Sequence, residues 1–267
     1  MNAPSPQVHS MIDIAPTLSA TLGLAVPSGA TGDAIAAVVT GLGRVARMAV
    51  VVPDGLGLHA WSLWQAEMPF LRALHAKHSL VISSVMPSIT PVNFATMVTG
   101  TDAAGHGVGS FNDDFTCETL FDVVRRAGGK SAGIGLEGYT GSELLGRFAD
   151  VWGNCGHGSD DDIVDTILEI AGGAKPEFVI AQLGKVDDVF HQHGPSSASV
   201  VPMLRATDRR LKLLAERLDL LGYGLLVLAD HGHHDVDEPS LGLKGTHGTD
   251  SPGDCLVPCT WLSPTPR

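Results

Sequence analysis

Aromatic residues are scarce in this chain, at 5% with two tyrosines, which argues against a base-stacking nucleic-acid surface. Basic residues are also few. Lys and Arg number 17 against 29 Asp and Glu, a formal net charge of −12, so broad binding to a nucleic-acid polymer is disfavoured. An acidic chain can still take a phosphate substrate where local metal charge dominates the site. No apolar run approaches the ~18 residues that a membrane span needs. The start, Met1-Asn2-Ala3-Pro4-Ser5-Pro6, has no basic stretch leading into an apolar one, so no signal or membrane anchor is expected there. The four cysteines, Cys117, Cys155, Cys255 and Cys259, include no Cys-x-x-Cys pair. They read as buried thiols in a reducing compartment, which makes the cytoplasm the expected location. There is no Gly-x-x-x-x-Gly-Lys loop, and Gly55-Leu56-Gly57 is too short to suggest a dinucleotide site.

At 267 residues and 44% hydrophobic content, the chain can bury a full core, and one α/β domain over residues 1–267 is the simplest organisation. Apolar, β-branched runs predict strands at Met48–Pro53, Leu80–Met86, Ser131–Gly135, Phe178–Leu183, Leu225–Ala229 and Leu256–Leu262. Helical patterns alternate with them at Trp61–His75, Glu118–Ala127, Asp160–Ala171 and within Ser197–Leu221. Ser159 before Asp160–Asp162 offers an N-cap and an acidic first turn. Gly128-Gly129 and Gly172-Gly173 are helix stops. Alternation of this kind implies a mostly parallel sheet covered on both faces. Trp61, Trp64 and Phe70 read as core beneath the first of these helices.

The chemistry lies in four segments. Asp54 and Asp230-His231 each follow an apolar strand, where open α/β sheets gather ligand residues. Asp187 and His191 are four apart, so one helical turn would aim both at the same ion, with Asp188 as the competing carboxylate. His247 follows in Thr246-His247-Gly248. Three carboxylates and three imidazoles supply enough oxygen and nitrogen donors for two divalent metals. Thr90, in a turn bracketed by Pro87 and Pro91, adds a hydroxyl nucleophile at a helix N-terminus, where backbone N–H groups favour a phosphate. Asn93, three residues on, is placed to donate to a phosphoryl oxygen.

Each has a plainer reading. Asp54-Gly55 is also a turn signal, Thr90 could simply cap its helix, and Ser88 is a rival hydroxyl. His106 reads as a turn-ordering residue, and His193, His233 and His234 as rim or solvent-facing. Lys185 and Lys244 could meet a substrate anion, although exposed lysines are usually just solvated.

Taken in order, Asp54-Gly55, Thr90-x-x-Asn93, Thr99-Gly100, His106-Gly107, Asp187-x-x-x-His191-x-x-Gly194-Pro195, Asp230-His231-Gly232 and His247-Gly248 resemble the alkaline phosphatase superfamily. The type I phosphodiesterase/nucleotide pyrophosphatase branch fits best. The approach Val85–Thr90 and Asp187-x-Val189-x-His191 also resemble phosphonoacetate hydrolase. The resemblance implies an alkaline phosphatase-like three-layer α/β/α fold and a pair of divalent ions, zinc first, with manganese or iron as alternatives. Asp187, His191 and His247 would hold one ion; Asp54, Asp230 and His231 would hold the other, with Thr90 completing it. Thr90 would attack phosphorus to give a phospho-threonine, while Asn93 and the Thr90 N–H held the non-bridging oxygens. The implied substrate is a small phosphodiester or nucleotide pyrophosphate. Phosphonate C–P hydrolysis or phosphomonoester hydrolysis is the alternative, and a non-catalytic zinc protein the further one. Two departures bear on substrate: Phe190 stands where the diesterase branch usually has glycine, and the stretch between Thr90 and Asp187 is short.

Ile12–Leu18 and Leu22–Pro27 resemble the segment that in this superfamily follows the last metal histidine. Residues 1–45 therefore read as a displaced C-terminal segment, the mark of a circular permutation, which requires chain ends that lie close together.

Overall fold

The computed structural model describes residues 8–238 and 242–266. Among the described residues, ten strands form two sheets: β1 (Val8–Ser10), β2 (Arg47–Pro53), β3 (Leu80–Ser83), β4 (Ser131–Gly135), β5 (Val151–Asn154), β6 (Phe178–Leu183), β7 (Tyr223–Leu228), β8 (His234–Glu238), β9 (Leu243–Thr246) and β10 (Leu256–Leu262). The main sheet has eight strands in the order β1-β3-β10-β7-β2-β6-β4-β5. Its pairings are parallel except where β10 meets β3 and β7. Seven strands thus run one way and β10 the other. β6 and β7 are buried at every position, and β2 at every position after Arg47. A strand with neither face in water needs cover on both sides, and that is why these runs lack alternation.

The helices supply that cover in two groups. Ile14–Leu22, Ala36–Leu42, Thr90–Thr99 and Leu120–Arg126 form one, while Pro69–His75, Asp160–Gly172, Lys185–His193 and Val201–Leu220 form the other. The sheet between them makes the mostly parallel, three-layer α/β/α fold expected from the sequence. The helix from Asp160 starts on the Ser159 capping box with Asp162 and ends at Gly173. The single helix expected over Trp61–His75 is instead two, Leu58–Trp64 and Pro69–His75. Pro69 has no N–H to continue a helical ladder, so it opens a new helix at its first position. Trp61 is buried, and Trp64, half-buried, donates its indole N–H to Pro195 O at 2.7 Å. Cys255 and Cys259 are buried thiols as expected, whereas Cys117 and Cys155 are only half-buried.

Within residues 12–27, the buried helix Ile14–Leu22 packs against Thr90–Thr99 and is closed by Gly23, whose φ of 69° suits a glycine cap. In the sheet, Val8 and Pro258 both pair with Val81 from opposite sides. The start of β1 and the end of β10 therefore lie at the same end of the sheet. The expected closeness of the extreme chain ends, residues 1–7 and 267, falls outside the described residues.

Candidate dinuclear metal site

The carboxyl ends of three neighbouring strands, β7, β2 and β6, meet at one edge of the sheet, and the site is built there. Asp54 is the residue after β2, and Asp230-His231 lies just past β7. Asp187 and His191 project from Lys185–His193, the helix that follows β6. Thr90 opens the helix after β3. His247 comes from the small antiparallel β8–β9 hairpin, in which His234 pairs with Thr246. The site thus depends on parallel strands delivering segments far apart in sequence to one end of the sheet.

Two donor groups result: Asp54, Asp230 and His231, all buried, and Asp187, His191, His233 and His247. They adjoin, because the rings of His231 and His247 stack with centroids 3.8 Å apart. All six ligands expected from the sequence are therefore brought together. Thr90 joins the first group, its Oγ1 lying 3.0 Å from His231 Nε2.

Three imidazoles are oriented in the same way. His191 Nδ1 donates to Gly245 O at 2.9 Å, His231 Nδ1 to Gly232 O at 3.1 Å, and His247 Nδ1 to Ser88 O at 3.0 Å. A carbonyl can only accept, so each ring carries its proton on Nδ1 and turns a lone pair on Nε2 inward. His191 Nε2 lies 3.4 Å from Asp187 Oδ2, and His231 Nε2 lies 3.4 Å from Asp54 Oδ1 and 3.3 Å from Asp230 Oδ2. Burial pushes His231 down to about 4 against the opposing charge of Asp187, and burial, aided by His231 and His233, pushes His247 down to about 3. Both are neutral at pH 7, the form that binds metal.

The carboxylates carry the opposite strain. Burial, then the charges of Asp230 and Asp187, pushes Asp54 well above the usual carboxylate range. Burial raises Asp230 to about 6, and the charge of Asp187 adds to it. Asp187 is also raised by burial, but the imidazoles around it outweigh that and hold it below the usual range. Asp54 Oδ1, Asp187 Oδ1, Asp230 Oδ2 and both ring nitrogens of His233 are buried without a hydrogen bond. Orphaned polar atoms are uncommon in folded proteins and individually costly. Here they converge on one spot, together with inward lone pairs. Oxygen and neutral imidazole donors, three of them carboxylates, fit divalent cations.

Several surrounding residues were not legible beforehand. Gln182, near the end of β6, donates its amide to Asp54 Oδ2 and accepts from Gly141 N–H, which leaves Asp54 Oδ1 facing the site. Gly55 N–H holds Asp230 Oδ1 at 3.1 Å and leaves Oδ2 inward. Buried Asp254 accepts from Thr249 N–H and Oγ1 and meets His234 Nδ1 at 2.8 Å, tying together the loops around His231 and His247. Gln182 sits within a uniformly apolar strand, and only this polar exception in Phe178–Leu183 could have drawn notice.

Four expectations change. His233 is not at the rim: it is 1% exposed and sits inside the second donor group. Asn93 does not face the site. Its Oδ1 accepts Val85 N–H at 2.8 Å, and its Nδ2 lies 3.2 to 3.4 Å from the carbonyls of Val85, Pro87 and Ile89. Its amide is therefore already engaged in shaping the turn that presents Thr90. Lys185 donates to Asp188 Oδ2 at 2.9 Å and Tyr139 Oη at 2.8 Å, so its charge is taken up away from the donor groups. Lys244 is exposed on β9, with its side chain in none of the site's contacts described above.

The rival readings resolve as well. Asp188 turns to Lys185 and Tyr139, which leaves Asp187 for the site. Ser88 is buried and its hydroxyl donates to Thr249 O at 2.7 Å. His106 orders its turn, accepting Val108 N–H on Nδ1 at 3.0 Å. His193 is exposed, and His234 is held by Asp254.

The sheet order and this pair of donor groups fit the alkaline phosphatase superfamily that the sequence motifs resemble. Comparison with known proteins narrows the assignment. The family model of type I phosphodiesterases/nucleotide pyrophosphatases matches residues 48–127 and 148–246, and the chain belongs to that family. It is 27% identical over 208 residues to a venom phosphodiesterase of Naja atra, covering 67% of this chain and 25% of that protein. With a venom phosphodiesterase of Macrovipera lebetinus it shares 26% over 212 residues, at 68% and 25% coverage. The chain thus spans about a quarter of the length of these curated relatives. Among solved structures, its fold is similar to an inactive threonine-to-alanine form of murine ectonucleotide pyrophosphatase/phosphodiesterase 5 in complex with AMP. That match has a TM-score of 0.64 and 15% identity, covering 82% of this chain and 88% of that one. Phosphonoacetate hydrolase from Sinorhizobium meliloti has a TM-score of 0.59 and 18% identity, covering 73% and 58%. The C-terminal periplasmic domain of EcEptC from Escherichia coli, in complex with Zn, has a TM-score of 0.59 and 14% identity, covering 82% and 73%.

Proposed function

We propose that the protein is a two-metal hydrolase of small phosphate esters, with a phosphodiester or nucleotide pyrophosphate as substrate and Thr90 as nucleophile. The observation that carries this reading is the placement of Thr90 Oγ1 3.0 Å from His231 Nε2, beside Asp54 and Asp230. Asp54, Asp230 and His231 would hold one ion, with Thr90 completing the set, and Asp187, His191 and His247 would hold the other. Zinc suits this mixed oxygen and nitrogen set, and manganese or iron would be the alternatives. Such ions, when bound, lower the pKa of a coordinated hydroxyl or water and screen phosphate charge.

The chain's own residues do the rest. Thr90 presents its oxygen at the first turn of Thr90–Thr99, where N–H groups and the helix dipole favour a phosphoryl anion. Its Oγ–P bond forms as the ester P–O bond breaks, and the alcohol leaves. Water then attacks phosphorus, the Thr90 Oγ–P bond breaks, and phosphate or a monoester is released. With Asn93 committed to the preceding turn, the Thr90 N–H would be left to donate to the phosphoryl oxygens. The family assignment and the relatives called phosphodiesterases support a diester. The fold shared with phosphonoacetate hydrolase and Phe190 beside His191 keep a phosphonate as the second reading.

Steady-state hydrolysis of bis-p-nitrophenyl phosphate against p-nitrophenyl phosphate, with zinc or chelator, tests the proposal. The expected result is a chelator-sensitive preference for the diester. Monoester preference would overturn the diester assignment, and chelator-resistant turnover would overturn the metal mechanism.

We also propose that residues 1–45 are a displaced C-terminal segment. The support is the flanking of Val81 by Val8 and Pro258. That leaves Val8 and Pro258 separated by one strand, or ~10 Å.

A further inference from the structure

His233 has an environment that the ligand set above does not use. Its imidazole is 1% exposed, and neither ring nitrogen has a hydrogen bond. Nε2 nonetheless lies 3.1 Å from Asp187 Oδ1, without the alignment of a hydrogen bond. The ring is held from several sides: Phe190 meets it edge-on at 5.4 Å between centroids, and His191 and His247 each lie 4.8 Å away. Gly55 completes the enclosure. A Cβ there would come within 2.7 Å of His233 Cε1 and 2.9 Å of Nδ1, so the absence of a side chain gives the imidazole its place. A ring packed this closely, with its polar atoms unmatched and one of them against a candidate ligand oxygen, is shaped to face a cation.

The geometry points to His233 as a fourth protein donor to a divalent cation at the Asp187–His191–His247 group. This rests on the two-metal reading above. The two halves of the centre then differ in kind. The Asp187 half offers three imidazole nitrogens and one carboxylate, a four-donor shell of the sort that closes a tetrahedral site. The Asp54 half offers two carboxylates and one imidazole, all buried, with the Thr90 hydroxyl next to them. Nitrogen-rich donors favour zinc or cobalt over magnesium or calcium. The His233 half therefore fills first and empties last.

Metal binding tests this without turnover. Stripped full-length protein is titrated with zinc against a chromophoric chelator, and with cobalt(II) followed by visible absorption. The wild type is expected to take two ions with separated affinities, the first equivalent of cobalt giving the intense bands of four-coordination. His233→Ala and His233→Leu, checked for folding by circular dichroism, should weaken one ion by about 100-fold or more, beyond the 10- to 100-fold typical of outer partners. They should also weaken the first cobalt bands and leave the second ion unchanged. A long-range proton–nitrogen spectrum of the wild-type histidines needs no variant: one His233 ring nitrogen should move to the metal-bound position at the first equivalent of zinc. If the wild type binds no ion, the two-metal reading falls. If it binds two, while the His233 signal stays put and the variants keep both affinities, His233 is no ligand and the two-metal reading stands.

Discussion

Thr90 and Gln182 act on the same cluster in different ways, and substitution separates them. A hydroxyl oxygen that forms the bond to phosphorus is needed for turnover, whereas five of the other donors hold their places without it. Thr90→Ala should therefore keep its metal content by elemental analysis and lose hydrolysis by on the order of 10^3-fold or more. Full turnover in that variant would dismiss Thr90 as nucleophile. Gln182 instead fixes one oxygen of Asp54 so that the other faces the site. Gln182→Leu should lower metal affinity 10- to 100-fold, as loss of an outer partner commonly does, and activity should recover with added zinc. Unchanged affinity by calorimetry would show that Asp54 is oriented without it. Asn93 teaches the complementary lesson. The spacing Thr90-x-x-Asn93 was readable, but an amide can serve a substrate or its own turn, and only the carbonyls of Val85, Pro87 and Ile89 decided which.

Among the elements, the β8–β9 hairpin matters most to the site. Pairing His234 with Thr246 brings His233 and His247, the residues just outside that pair, to one place. The segment His231–Asp235 has no strand periodicity that would reveal this, so His233 looked like a solvated neighbour of His231. The helix Thr90–Thr99 is secured by buried His106, whose Nε2 lies 3.2 Å from Thr96 Oγ1. Burial pushes His106 down to about 4. The unfolded chain therefore binds a proton between about 6.5 and 4 that the folded chain refuses, and stability is lost as pH falls through that window. His106→Gln should lose less stability than the wild type between pH 7 and pH 5 in urea unfolding. An equal loss in both would exclude His106 as a contributor to the acid limb. Another element-level limit lies at Gly133 in β4, where a Cβ would collide with the backbone of Leu145 and Gly146. Gly133→Ala should cost about 1–3 kcal/mol through overpacking, measured by thermal melting.

For the whole molecule, the decisive arrangement is a sheet whose strands run one way except for β10. It sets the carboxyl ends of β7, β2 and β6 side by side, and it places the start of β1 at the same end of the sheet as the finish of β10. If residues 1–45 are a displaced segment, a rearranged chain carrying them after residue 267 should fold with the same melting transition and bind the same amount of metal. An unfolded product would argue that the segment must lead the chain.

By itself, the sequence determined which residue types end the buried strands: Asp54 after Met48–Pro53, and Asp230-His231 after Leu225–Ala229. It also determined the i, i+4 pairing of Asp187 with His191 and the α/β alternation. Those are local patterns, and local geometry enforces them. Only the tertiary structure decided that Gln182 aims Asp54, that Tyr139 engages Lys185, and that His233 stands inside the cluster. Each of these follows from segments tens of residues or more apart meeting at one edge of the sheet, where burial removes water and leaves every polar atom to find a partner in the fold.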